Sequence, residues 1–117
     1  MKPIIITIKD IEWQFYLLSD IAYDKFQGRD SHGITHKDLQ KVYLRKSSLS
    51  LRLVTHEMFH VYVSSCCVNS IQEMEAHAME EIAAEIIEFH IDDIAKHSKK
   101  VYNSIKRHLK SLEPKKD

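Results

Sequence analysis

The sequence predicts an α+β fold, a small N-terminal sheet followed by helices. Three observations carry this. The chain opens on a β-branched run, Ile4-Ile5-Ile6-Thr7-Ile8, with an alternating stretch from Ile11 to Leu17 close behind. From Ser47 onward the apolar period changes from two to about three and a half. A short polar connection at Cys66–Ser70 then leads into a second, longer helical stretch. Strands first and helices after give segregated layers rather than a βαβ sheet.

The elements follow in order. Ile4–Ile8 reads as a strand, and Lys9-Asp10 as its turn. Ile11, Trp13, Phe15 and Leu17 alternate with Glu12, Gln14 and Tyr16, which makes a second strand and a hairpin, with a helix capped by Asp10 as the competing reading. Ser19 to Phe26 reads as a short helix capped by Ser19 or Asp20. Residues 27–33 hold both glycines of the chain, so they form a loop with special backbone needs. Ile34-Thr35 and Val42-Tyr43-Leu44 pair as a second hairpin across a polar turn from His36 to Gln40. Leu51, Val54, Met58, Val61 and Tyr62 mark one face of a helix capped by Ser47 or Ser48 and ending near Ser64 to Cys67. Ser70 caps a helix from about Ile71 to Phe89, and Ile91 to about Leu112 either continues it or follows a bend at His90–Asp93.

Residues 1–113 are expected to form a single domain and 114–117 a frayed tail. Lys+Arg and Asp+Glu each count 17, so the net charge is zero, which argues against nucleic acid as a partner. Charge is nevertheless segregated. Residues 71–93 carry eight acidic residues and no Lys or Arg, whereas 99–116 carry seven Lys and Arg. Two solvated helix faces are the plain reading; a basic tail for a partner is the sharper one. The N-terminal apolar run is too short for a signal peptide, and no stretch approaches a membrane span. Cys66 and Cys67 are adjacent and make no disulfide framework, so a reducing, cytoplasmic setting is expected.

The stretch with chemical content is Thr55-His56-Glu57-Met58-Phe59-His60, an HExxH pattern in an otherwise uncharged segment from Leu53 to Tyr62. Four-residue spacing on a helix puts His56 and His60 on one face, where two imidazoles reach a common metal ion. Glu57 sits one step round, placed to meet a metal-bound water as general base. Zinc sites in hydrolases add a third protein ligand, and the following helix offers Glu73, Glu75, His77, Glu80, Glu81 and Glu85. Glu80 has Ala76, Ala83 and Ala84 among its helical neighbours, and a carboxylate in an alanine strip on the core side needs a partner. Glu80 is therefore the first choice, followed by Glu81 and Glu73. His77, Tyr62, His32 and His36 are all able to stabilise an oxyanion. His90, His97 and His108 read as surface residues.

With these motifs the chain resembles the zincin metallopeptidases, most closely the small phage- and prophage-encoded type distantly similar to the ImmA/IrrE group. The resemblance runs from the early strands to Phe89. It rests on the HExxH segment and on Glu80-Glu81-Ile82-Ala83-Ala84-Glu85-Ile86, which fits a Glu-x-x-Ala-x-x-apolar pattern. In such proteins that Glu is the third zinc ligand, which implies the role for Glu80. Glu73-Met74-Glu75-Ala76-His77-Ala78-Met79 fits the same loose pattern. The resemblance also implies a minimal zincin-like domain, with Gly33-Ile34-Thr35 lining the cleft and binding substrate backbone. The expected function is zinc-dependent hydrolysis of a peptide bond in a protein or peptide substrate, with Zn2+ on His56, His60 and Glu80. The rival is a non-catalytic binding or regulatory protein with a structural or vestigial metal. A third reading is a helical interaction protein using the basic tail from Lys99 to Lys110.

Overall fold

The computed structural model describes residues 1–27, 31–66 and 76–113. Two hairpins join into one mixed sheet. Strands β1 (Ile4–Ile8) and β2 (Ile11–Leu18) are antiparallel, with Ile6 opposite Trp13. Lys9 and Asp10 have φ of 48° and 66°, the left-handed conformation of a two-residue turn whose twist matches that of the strands. The helix that competed for 11–18 does not form, because a strand buries Trp13 and Phe15 on one face. Strands β3 (Gly33–His36) and β4 (Lys41–Arg45) form the second hairpin. The sheet order is β1-β2-β4-β3, and the two hairpins meet in a parallel pairing that sets Phe15 beside Val42 and Leu17 beside Leu44.

Alternation along the strands gives the sheet two different faces. Ile6, Ile8, Trp13, Phe15, Val42 and Leu44 enter the main core. There they meet helix α2 (Leu51–Cys66), through Val54, Met58, Val61 and Tyr62, and helix α3 (Ala76–Ser111), through Ile86, Ile94, Val101 and Ile105. Trp13 Nε1 donates to Ser65 Oγ at 2.9 Å and pins the end of α2 to the sheet.

The second face carries helix α1 (Asp20–Gln27). Ser19 caps it, accepting from the Ala22 amide at 3.3 Å. Arg45 fastens α1 down. Its guanidinium donates to Asp24 at 2.7 Å and to the Ser31 carbonyl at 3.1 Å, and it lies 4.5 Å from the centre of the buried Tyr23 ring.

Two expectations need correction, and one open choice is decided. The cap of α2 is Ser50, whose hydroxyl accepts from the Leu53 amide at 3.1 Å; Ser47 and Ser48 lie instead in a 3-10 turn, Lys46–Ser48. No bend interrupts the last helix, which runs unbroken through His90–Asp93 because a seam of Ile94, Ser98, Val101 and Ile105 stays buried along it. His90, His97 and His108 are half-buried rather than surface residues. The expected start at Ile71, its cap Ser70 and the tail 114–117 lie outside the described residues. Among the described residues, no helix is long and apolar enough to cross a membrane.

Candidate metal centre

The centre forms where α2 passes the edge strand β3. One face of α2 is committed to the core by Val54, Met58 and Val61, all fully buried. The helical period therefore turns His56 and His60 outward and leaves Glu57 at the boundary. His56 and His60 are exposed, whereas Glu57 is only 3 % exposed.

Gly33 is what lets the strand come so close. A Cβ at this position would lie 3.2 Å from Glu57 Cγ and 3.2 Å from Leu53 Cδ1. The glycine is needed for space, because the backbone here is ordinary strand. That refines the expectation of special backbone needs for the 27–33 loop; Gly28 lies outside the described residues. Two residues on, Thr35 Oγ1 donates to Glu57 Oε1 at 3.4 Å, a long and weak bond.

The imidazoles of His56 and His60 turn toward each other, with their Nε2 atoms 3.3 Å apart. Either a proton on one ring makes this a hydrogen bond or, with two lone pairs facing, a cation is needed between them. Two zinc–nitrogen bonds of about 2.0–2.1 Å at a tetrahedral angle place their nitrogens about 3.3–3.4 Å apart. The pair fits a metal ion in this respect. Ligand atoms of His56, Glu57 and His60 all lie within 4.8 Å of one another, a group that could hold a metal ion.

Burial sets the protonation of the site. It pushes the Glu57 carboxyl above the usual carboxylate range, a shift that His56 and the Thr35 hydroxyl oppose. Partial loss of water around its ring also pulls His60, an otherwise exposed residue, below the ordinary histidine value, helped by His56 and Lys37. A lowered pKa favours the neutral imidazole, the form that ligates metals.

The surroundings form a cleft on both sides of His56 and Glu57. One part, of about 350 Å³, is lined by β3 from Gly33 to Thr35, by Lys37 and by the three centre residues. The other, of about 460 Å³, is lined by His32, Ser48, Ser50, Arg52 and Leu53, together with Gly33, His56 and Glu57. Gly33-Ile34-Thr35 thus lines the cleft, as expected. Of the four residues weighed for an oxyanion, His32 lines it too, with Nδ1 held by Ser48 Oγ at 2.6 Å. Tyr62 is buried and bonded to His97 Nδ1 at 2.6 Å, His36 packs edge-on to Tyr43, and the His77 side chain lies outside the described residues.

Glu80 is not brought into this group. It is exposed, as are Glu81 and Ala84, whereas Ala83 is half-buried and the Ala76 side chain lies outside the described residues. The reason lies in where α3 meets α2. Tyr62 packs on His90 and His97, and Glu80 lies ten residues before His90, about 15 Å along the axis. To join the histidines, Glu80 has to leave this exposed position. Glu73 lies outside the described residues. Sequence reasoning missed Lys37 and the hydroxyl of Thr35 as a partner of Glu57. Only the placement of β3 beside α2 reveals them.

Comparison of the chain with protein-family models, with curated proteins and with solved structures found no match.

Proposed function

We propose that the chain is a zinc-dependent hydrolase of zincin type that cleaves a peptide bond in a protein or peptide substrate. The observation that carries this reading is the His56–His60 pair, its nitrogens 3.3 Å apart, beside a buried carboxylate. His56 and His60 hold the metal, and Glu80 is proposed as the third protein ligand. Bound zinc supplies Lewis-acid polarisation of the scissile carbonyl and lowers the pKa of water. Glu57 takes the water proton and returns it to the leaving amine. Thr35 holds the Glu57 carboxylate toward β3. The outer edge of β3, the last strand of the sheet, receives an extended substrate along the cleft.

The test is calorimetric titration of chelator-treated protein with zinc, followed by hydrolysis of a mixed peptide library. One zinc per chain is expected, lost in His56→Ala and in His60→Ala. Failure of the intact protein to bind zinc would sink the proposal. Zinc binding with hydrolysis indifferent to Glu57→Gln would favour a non-catalytic protein on the same scaffold. Zinc affinity of Glu80→Ala tests the third ligand separately, with a tenfold or greater loss expected.

A further inference from the structure

Helix α3 carries two apolar stripes; the core takes up one of them and, through the half-buried Tyr102 and Leu109, only the C-terminal part of the other. The buried stripe is Ile94, Ser98, Val101 and Ile105. A second runs about a sixth of a turn round the helix through Ala84, Ile87, Ile91, Ala95, Tyr102 and Leu109. Successive positions are three, four, four, seven and seven residues apart, which keeps them on one side of the helix. Ile87 and Ile91 are 51 % and 45 % exposed, and Ala84 and Ala95 are exposed as well. From Ala84 to Leu109 the stripe covers about 38 Å, long enough for a helix–helix interface.

The charges beside this stripe say what fits it. Its N-terminal half is flanked by Glu85, Glu88 and Asp92, and its C-terminal half by Lys99, Lys106 and Lys110; all six are exposed. A parallel copy of α3 would set like charges against each other. An antiparallel copy, crossing near Ala95, sets Glu85 near Lys106 and Asp92 near Lys99, each pair occurring twice by symmetry. Antiparallel pairing also opposes the two helix dipoles favourably. A groove of about 690 Å³ lies at the far end of the stripe, lined by Leu109, by Lys106, Arg107 and Lys110, and by one carboxylate, Glu113. Its net charge is positive, opposite in sign to Glu85 of a second α3.

We infer that the chain forms a twofold homodimer through antiparallel pairing of α3 along the Ala84–Leu109 stripe. The inference does not depend on metal binding by His56 and His60, which lie on α2.

Two measurements test it on the full chain. Sedimentation velocity at 50 mM and 500 mM salt reads the mass. A salt-sensitive dimer is expected, weakened at least tenfold by the triple change Lys99→Glu, Lys106→Glu and Lys110→Glu. Adding Glu85→Lys, Glu88→Lys and Asp92→Lys should restore it. Site-directed disulfides read the direction, in a background with Cys66→Ser and Cys67→Ser. Ala95→Cys should cross-link to itself, and Ala84→Cys should not. A monomer at 100 µM overturns the inference, and so does a dimer that cross-links through Ala84→Cys alone. A dimer of unchanged affinity after the triple charge reversal overturns it equally.

Discussion

Replacing Glu57 by Gln should stabilise the metal-free protein while abolishing the hydrolysis proposed for it. Glu57 is 3 % exposed and has one hydrogen bond, at 3.4 Å, from Thr35. A buried charged group so poorly satisfied costs about 1–3 kcal/mol. Glutamine has the same shape, accepts the same bond and carries no charge. For a domain near this size, 1 kcal/mol moves Tm by about 4 °C, so a rise of about 4–12 °C is expected at pH 8. The sign depends on pH. Because the folded-state pKa of Glu57 is raised, the folded protein keeps a proton that the unfolded chain has lost. Wild-type stability from this group is therefore present in acid and is lost as pH rises through the folded pKa. The gap between variant and wild type should be wide at pH 8 and narrow at pH 5. Scanning calorimetry in chelator at both pH values measures it. Turnover should fall by about 10²–10⁴, the usual contribution of a general base. A variant that melts at or below wild type at pH 8, or whose advantage is the same at pH 5, would refute the account of Glu57 as a strained carboxylate.

Other outcomes follow from the same geometry. Gly33→Val should drive β3 away from Leu53 and Glu57, lowering stability by about 1–3 kcal/mol in urea denaturation and reducing hydrolysis beyond what the stability loss explains. Met58→Ala, at a fully buried site behind the histidines, should cost about 2–5 kcal/mol by the same assay. His60 and His97 both have pKa values lowered by burial. Their contribution to stability is present above the ordinary histidine pKa and is lost as pH falls below it, so a urea midpoint that rises between pH 7 and pH 5.5 in Glu57→Gln would contradict it. Tyr62→Phe removes the bond to His97 and should cost about 0.5–1.5 kcal/mol while leaving zinc affinity unchanged.

Much of this architecture is legible in the chain, and the parts that are not share a cause. Both hairpins were readable because alternation and turn residues are local signals: Lys9-Asp10 closes the first and His36–Gln40 the second. The parallel joining of β2 to β4 has no local signal, since it depends on Phe15 and Val42 finding the same core. Three serines, Ser47, Ser48 and Ser50, compete for the cap of α2, and composition alone does not choose between them. His56, Glu57 and His60 came directly from their spacing and do lie together. The alanines around Glu80 suggest a buried strip. Here Ala84 and Ile87 lie exposed, so small and apolar residues mark a surface that the core does not use. Gly33 was noticed as a rare residue, but its purpose depends on how near α2 passes.

The placement of Gly33, Thr35, His56, Glu57 and His60 also bears on how the chemistry is inherited along the chain. All five fall in one uninterrupted hairpin-and-helix segment from β3 to α2. These five site residues are thus local and could be copied as a unit, whereas their rigidity is borrowed from β2 and α3 on either side in sequence. Apart from Glu80, the proposed third ligand on α3, substitutions in those flanking elements reach the site only by loosening the whole fold. Substitutions within the segment can silence it in a protein that still folds.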